Sequence, residues 1–370
     1  MTKRIAWIQR AKALGILFIV LGHVVGGGYH LAHGDTALFL QRSYKYFYSF
    51  HVPFFFFLAG LTFSLGTQGF RAFLVRKTKR LLVPYFVFGV VSAFMYMIFS
   101  DGIFNELCKS SETSYYQKMM ADSKLTPFLG LLHGGGWPNG NGFRSNSVLW
   151  FLPCLFTLET AYYVYERHAT FRFRTAVAGI LLLIAGYLTK NQGLGCLPWG
   201  VTNAIFYGLF FVVGRGVGAT EWVRKDTAQR FGQGFLALAL ILFGGYLAII
   251  SPGQSILGKD IYQHVGYVSI TCLSIAGWCL FSFCSQWRWL EKLGTLTLGI
   301  MLLHKFPVVA LQTKVPVIRE WYAGTMGTAL VASVGIVAVS ILCSVLACKI
   351  FETYLPWALG KRPSREAERG

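Results

Sequence analysis

Charge is what this chain has least of. Asp, Glu, Lys and Arg make up 13% of its 370 residues, while 54% are hydrophobic. With apolar runs of about twenty residues recurring along the chain, that balance excludes a water-soluble protein and leaves no room for a sizeable soluble domain. Carboxylates are scarcer still, 15 against 34 Lys and Arg, for a net charge of +19. Such an excess would suggest nucleic acid in a soluble protein. Here the cations fall in short loops between apolar runs, the pattern of cytoplasmic loops facing anionic lipid, so no nucleic-acid partner is expected. Metal-ligand spacing is missing too: there is no CxxC pair and no Cys/His cluster, and the eight cysteines read as small buried hydrophobes. The first apolar run lacks an A-x-A-like cleavage site and is expected to be a retained span, not a signal peptide. No internal repeat is evident, which lowers the expectation of an inverted-repeat transporter.

What remains is an all-α, polytopic membrane protein read as a single domain over 1–370, with about ten spans. They are placed at Lys12–Tyr29, Tyr44–Leu65, Leu81–Phe99, Val148–Tyr165, Ala176–Leu188, Val201–Val217, Phe235–Ile250, Val265–Phe283, Leu293–Leu311 and Gly327–Phe351. A short loop holding His30, His33 and Asp35 joins the first two. With both termini cytoplasmic, roughly two-thirds of Lys and Arg lie inside, as the positive-inside rule requires. A basic segment over 70–80, with Phe70, Phe73 and Leu74 among its cations, reads as an amphipathic helix on the inner surface. The polar stretch 100–146, ending in HGGGWPNGNGFRSNS, reads as an irregular outer loop or cap because of its glycines and prolines.

The first run, QRAKALGILFIVLGH, organises the rest. Lys12 and His23 are 11 positions apart. That is three helical turns plus about 20°, so both side chains project from one face, about 16 Å apart along the axis. An inner-surface cation and a mid-membrane imidazole thus share one line. Ionisable groups in hydrocarbon are functional candidates by default, and His51 and His304 fall at depths similar to His23. For each histidine the structural alternative is a packing residue bonded to a backbone carbonyl. Pro53 is expected to kink span two, and Gly60 to permit close helix contact. Glu159, inside span four, calls for a counter-ion from Lys12 or the basic segment. Arg76, Lys77 and Arg80 suit either a lipid-facing anchor or a cradle for phosphates, for which Arg supplies forked contacts. The Trp137–Asn146 loop, rich in Gly, Asn and Trp, suits a carbohydrate.

Several strings in order carry a resemblance: Lys12 and His23 with ten residues between them, FHVPFFFFLAG, RLLVPY, LWFLPCLF, FYGLFFVVGRGVG, LGTLTLGIMLLHK and FETYLP. In these the chain resembles the acyltransferase-3 family of bacterial membrane proteins, which acylate sugars of surface and exported polysaccharides. The resemblance implies an inner-membrane O-acyltransferase. It would take an acyl-CoA donor from the cytoplasm, acetyl-CoA being expected and succinyl an alternative, and no permanently bound cofactor. The acceptor would be a sugar hydroxyl of a lipid-linked or exported polysaccharide, with polysaccharide-biosynthesis proteins as partners. It also implies that Lys12 and His23 are essential. The chain departs from the family pattern at two positions: Lys12 stands where Arg is common, and Gln9 where Asp is common.

On this reading Lys12, Arg76, Lys77 and Arg80, with Glu159, form the donor site, and His23 acts as general base. His304 or Lys305 stabilises the oxyanion or orients the sugar, while His51, Trp150 and Trp137 line the acceptor route. The competing reading is a transporter or flippase for a sugar or polyprenyl-linked glycan, with the histidines as a proton relay.

Overall fold

In a computed structural model, residues 5–67, 69–99, 126–134, 146–170, 173–191, 197–220, 231–250 and 261–361 are described, and all regular elements among them are helical. The first is α1 (Ala6–Leu31), followed by α2 (Gly34–Leu61), α3 (Phe70–Lys77) and α4 (Val83–Phe99). A short α5 (Thr126–His133) precedes α6 (Phe151–His168), α7 (Arg174–Asn191), α8 (Val201–Gly218), α9 (Phe231–Ile250) and α10 (Ile261–Cys284). The last group comprises α11 (Arg288–Thr295), α12 (Thr297–Leu303), α13 (Lys305–Lys314), α14 (Pro316–Ala323) and α15 (Met326–Tyr354).

Each of the ten expected apolar runs falls on a helix, and the chain is a multi-pass membrane protein. Five helices among the described residues are long and apolar enough to cross a bilayer, and a bent pair makes a sixth. The helices outrun the apolar segments that marked them. His30 lies inside α1 and Asp35 in the first turn of α2, so only Ala32 and His33 separate the two, and the expected loop shrinks to a corner. Hydropathy locates the part of a helix that sits in lipid, whereas hydrogen bonding continues beyond it.

Two further expectations change, for the polar stretch 100–146 and for span nine. Residues 100–125 and 135–145 of the outer stretch lie outside the described residues, but Thr126–His133 within it is helical. Tyr85 donates to the Leu131 carbonyl at 2.7 Å and ties this helix to α4. Pro53 lies inside α2, whose helical hydrogen bonding runs through it. Span nine, by contrast, is not one rod. α11 meets α12–α13 at 64° about Leu296, whereas His304 keeps helical backbone angles and carries helical hydrogen bonding from α12 into α13. Thr295 and Thr297 hydroxyls bond the Lys292 and Gly294 carbonyls at 2.8 Å each, meeting acceptors at the bend. Just beyond His304, Pro307 has no N–H to offer the Leu303 carbonyl. The Asn146 side-chain amide donates to the neighbouring Leu302 O at 2.8 Å.

The basic segment is helical with one side chain turned into the bundle. Phe73 is buried against Phe63 and Tyr163, Arg71, Arg76, Lys79 and Arg80 are exposed, and a π-helical turn over Thr78–Leu82 leads into α4. Of the six described cysteines, all free, Cys154, Cys279 and Cys348 are buried and Cys343 is exposed.

α1 is the central post. It packs on α2, α10, α11, α12, α13, α14 and α15, and most of its side chains are buried. An all-round apolar helix has no other stable place. On its far side α2 packs closely on α8. A Cβ at Gly60 would overlap the Phe211 carbonyl, and one at Gly214 or Gly218 would overlap the carbonyl of Phe57 or Leu61. Small residues four apart let membrane helices touch backbone to backbone.

Gly214→Val should therefore lower the thermal midpoint of the purified protein, at a cost of about 1–3 kcal/mol or more. Gly335→Ala, on an open face of α15, should leave it unchanged or slightly raised. Equal midpoints for both variants would show that the α2–α8 contact is not close.

Candidate active site

Helical periodicity on two elements builds the site. On α1 the positions Ile19, His23, Gly26, Gly27 and His30 follow one face, and on α2 Tyr48, His51, Val52 and Phe55 do the same. These stripes face two cavities that meet at His23 and Tyr48. The inner cavity, about 210 Å³, is otherwise lined mainly by apolar and aromatic groups, including Phe151, Met301, Trp150 and Tyr207. The outer cavity, about 330 Å³, is bordered by Tyr29, His30, Tyr44, Lys305, Gln312 and Arg319.

Three imidazoles converge on this junction. His23 and His304 have ring centroids 5.4 Å apart, and Tyr48 stands 6.1 Å from His23 and 4.6 Å from His51. Tyr48 Oη and His23 Nδ1 form a hydrogen bond of 3.1 Å. His51 Nδ1 bonds the Phe47 carbonyl at 2.7 Å and His304 Nδ1 the Ile300 carbonyl at 2.9 Å. A carbonyl only accepts, so both rings are held with the proton on Nδ1 and a lone pair on Nε2. The carbonyl contact proposed as a purely structural role is thus present in both. It also leaves each ring with a basic nitrogen. His304 Nε2 is buried and has no hydrogen-bond partner among the described residues.

Glycine makes the junction. Any Cβ at Gly27 or Gly28 would collide with Gln312 or Tyr322, so these glycines let α13 and α14 press against α1. Gln312 Nε2 then donates to the Val24 carbonyl at 2.8 Å and fixes the broken span beside His23.

The expected donor residues stand elsewhere. Lys12 is half-buried near the start of α1, and neither cavity is lined by Lys12, Arg76, Lys77, Arg80 or Glu159. Glu159 takes its counter-ion from the basic segment: Lys77 Nζ lies 2.6 Å from Glu159 Oε1. Burial pulls the Lys77 ammonium below its usual range, and the Glu159 carboxylate opposes that shift. A second buried carboxylate, Glu166, binds Arg215 through both oxygens at 2.6–3.2 Å. On α1 itself Arg10 is buried, bonded to Ser282 O at 2.9 Å and to Glu291 at 2.5 Å. Trp150 reaches the inner cavity, whereas Trp137 lies outside the described residues.

Tyr48, Tyr207, Gln312, Arg319 and Asn146 were not anticipated. Only Tyr48 had a sequence signal, standing three positions before His51 on the same helical face.

The comparisons with known proteins bear on this arrangement. The model of a family described as an acyltransferase domain, Acyl_transf_3, matches residues 5–347. The chain belongs to this family. The acyltransferase match spans every cavity-lining residue named above. No curated protein and no solved structure matches the chain.

The Lys77–Glu159 pair gives a test of the acyltransferase scaffold. Glu159→Gln strands a buried cation and should cost about 3–5 kcal/mol, read as a lower unfolding midpoint in detergent. The double variant Lys77→Met/Glu159→Leu should recover most of that loss. A double variant no more stable than Glu159→Gln would deny the coupling.

Proposed function

We propose that this acyltransferase moves a short acyl group, acetyl in the first instance, from cytoplasmic acyl-CoA to a hydroxyl of a lipid-linked or exported sugar. The observation that carries the reading is His23 standing where two cavities meet, next to two further imidazoles. Two substrates meeting at one base is what acyl transfer between a thioester and a sugar requires.

The mechanism follows from the lining. CoA phosphates are held at the basic end of α1 by Lys12 with Arg76 and Arg80, since Lys77 is committed to Glu159. α1 is unbroken between Lys12 and His23, and the axial distance of about 16 Å between them suits an extended pantetheine arm. The thioester carbonyl rests in the inner cavity, and the sugar hydroxyl approaches from the outer one. Tyr48 accepts the Nδ1 proton of His23, which leaves Nε2 to take the hydroxyl proton as the oxygen attacks the carbonyl carbon. The tetrahedral intermediate collapses, the C–S bond breaks, and the proton passes to the departing CoA thiolate. Lys305 stabilises the oxyanion, and the lone pair on His304 Nε2 orients the sugar through a second hydroxyl. On this reading both chain termini and the basic segment lie in the cytoplasm, and the membrane is the bacterial inner membrane.

Release of free CoA thiol from acetyl-CoA, measured with the full chain in liposomes and an added sugar acceptor, tests the reading. His23→Ala should lower the acceptor-dependent rate by about 10²–10⁴-fold. Tyr48→Phe should lower kcat by a smaller factor, with little change in the KM for acetyl-CoA. A wild-type rate in His23→Ala removes this residue from the chemistry. Sugar counterflow without thiol release would mark a transporter.

A further inference from the structure

A donor arm running along α1 from Lys12 to His23 meets an obstacle, and it comes from α2. Gly26 faces Tyr44, Gly22 faces Tyr48 and Gly15 faces Phe55, so the two helices run antiparallel. Of the residues lining the inner cavity, α1 supplies Ile19 and His23, and α2 supplies Tyr48, His51, Val52 and Phe55. Ile19 and Phe55 are therefore its end on the Lys12 side. Beyond them the next residue on this face of α1 is Gly15, within about 60° of the Lys12 direction.

A missing side chain gives the ring its seat. A Cβ on Gly15 would stand 2.9 Å from both Cε2 and Cζ of Phe55, closer than carbon atoms pack, so the far end of the ring rests on bare backbone. Gly15 is three residues past Lys12 and eight before His23. The ring thus crosses the path about 12 Å short of the imidazole. Phe151, which also lines the inner cavity, meets it edge-on with ring centroids 6.2 Å apart. Phe55 is only 9% exposed. A phenyl group has no hydrogen bond to break, so only apolar contact holds it, and χ1 has other staggered positions. Of the four phenylalanines in FHVPFFFFLAG, Phe54, Phe56 and Phe57 line neither cavity.

We propose that Phe55 is the entry residue of the donor path: seated on Gly15, its ring shuts the inner cavity on the Lys12 side, and it turns aside to admit an acyl-pantetheine arm. That arm is a narrow unbranched chain near its thioester and passes where a ring has swung away. Closure matters because water competes with the acceptor. Water adding to the thioester carbonyl, with cleavage of the C–S bond, would release acetate and CoA thiol and modify no sugar. Calling the arm a donor rests on the transfer reading above; the shut path does not.

Ile19→Cys, on the cavity side of the ring, serves as reporter. The full chain, in membrane vesicles of either sidedness, is treated with CoA disulfide, whose pantetheine arm ends at the reacting sulfur. The introduced thiol exchanges with it, keeping one CoA as a mixed disulfide and releasing the other as thiol. Mass spectrometry of the peptide carrying residue 19 follows the rate without turnover. From the cytoplasmic face, adding Phe55→Ala should speed labelling about tenfold or more. Phe55→Leu should give a smaller rise, and Phe57→Ala, buried two positions on, none. Unfolding midpoints establish that each variant is folded, and Phe55→Leu carries the test if Phe55→Ala is not. Unchanged labelling in the folded Phe55 variants, a rise seen only from the outer face, or an equal rise in Phe57→Ala overturns the proposal. In liposomes without sugar, Phe55→Ala should also release thiol from acetyl-CoA faster than the wild type; an unchanged rate in a chain that does acetylate sugar overturns the seal. Faster labelling in Phe55→Ala beside a wild type that releases no thiol even with sugar overturns the transfer reading alone.

Discussion

Everything in this structure depends on enclosing one helix on all sides. α1 is surrounded by seven neighbours, so water reaches its polar groups only through the cavities the neighbours leave. A histidine at the centre of such a helix must be met by protein groups or by a ligand. The structure meets His23 with Tyr48 on one side and His304 on another, and leaves open space along the rest of that face. The site is the part of the α1 surface that the bundle does not cover.

The broken span supplies what a continuous helix would not. A straight helix carrying Leu293 to Leu311 would present its side chains in a fixed spiral and run past the middle of α1 at one angle. The bend at Leu296 turns the α12–α13 segment away from the line of α11, so that the His304 ring stands beside His23 and Gln312 bonds the Val24 carbonyl of α1. Backbone groups freed by the bend would be costly in a membrane interior, and the side chains of Thr295 and Thr297 meet carbonyls there. Asn146, the last residue of the polar stretch 100–146, is itself buried in the core.

Charge in the bundle is arranged by depth and purpose. Where cations are paired, at Arg10, Lys77 and Arg215, the pairs stitch elements far apart in sequence: α1 to α11, α3 to α6, and α8 to α6. These are structural, and their energetic value is specificity of assembly more than net stability. Glu159 thus takes its counter-ion from the basic segment and not from α1.

The sequence by itself determined the membrane class, the helical character of every span, the family, and the alignment of Lys12 with His23 on one face of α1. These follow from local periodicity and composition, which a helix expresses wherever it is placed. It also flagged the three histidines, because ionisable groups in apolar runs stand out against their surroundings. The bend in span nine, the approach of Gln312 and Tyr322 to the glycines of α1, and the convergence of Arg319 with Lys305 were decided only by the tertiary structure. Each depends on which helix faces which, and that is set by contacts between residues hundreds of positions apart. Hydropathy also misjudged where the helices end, because it registers transfer into lipid while a helix ends where its hydrogen bonds do.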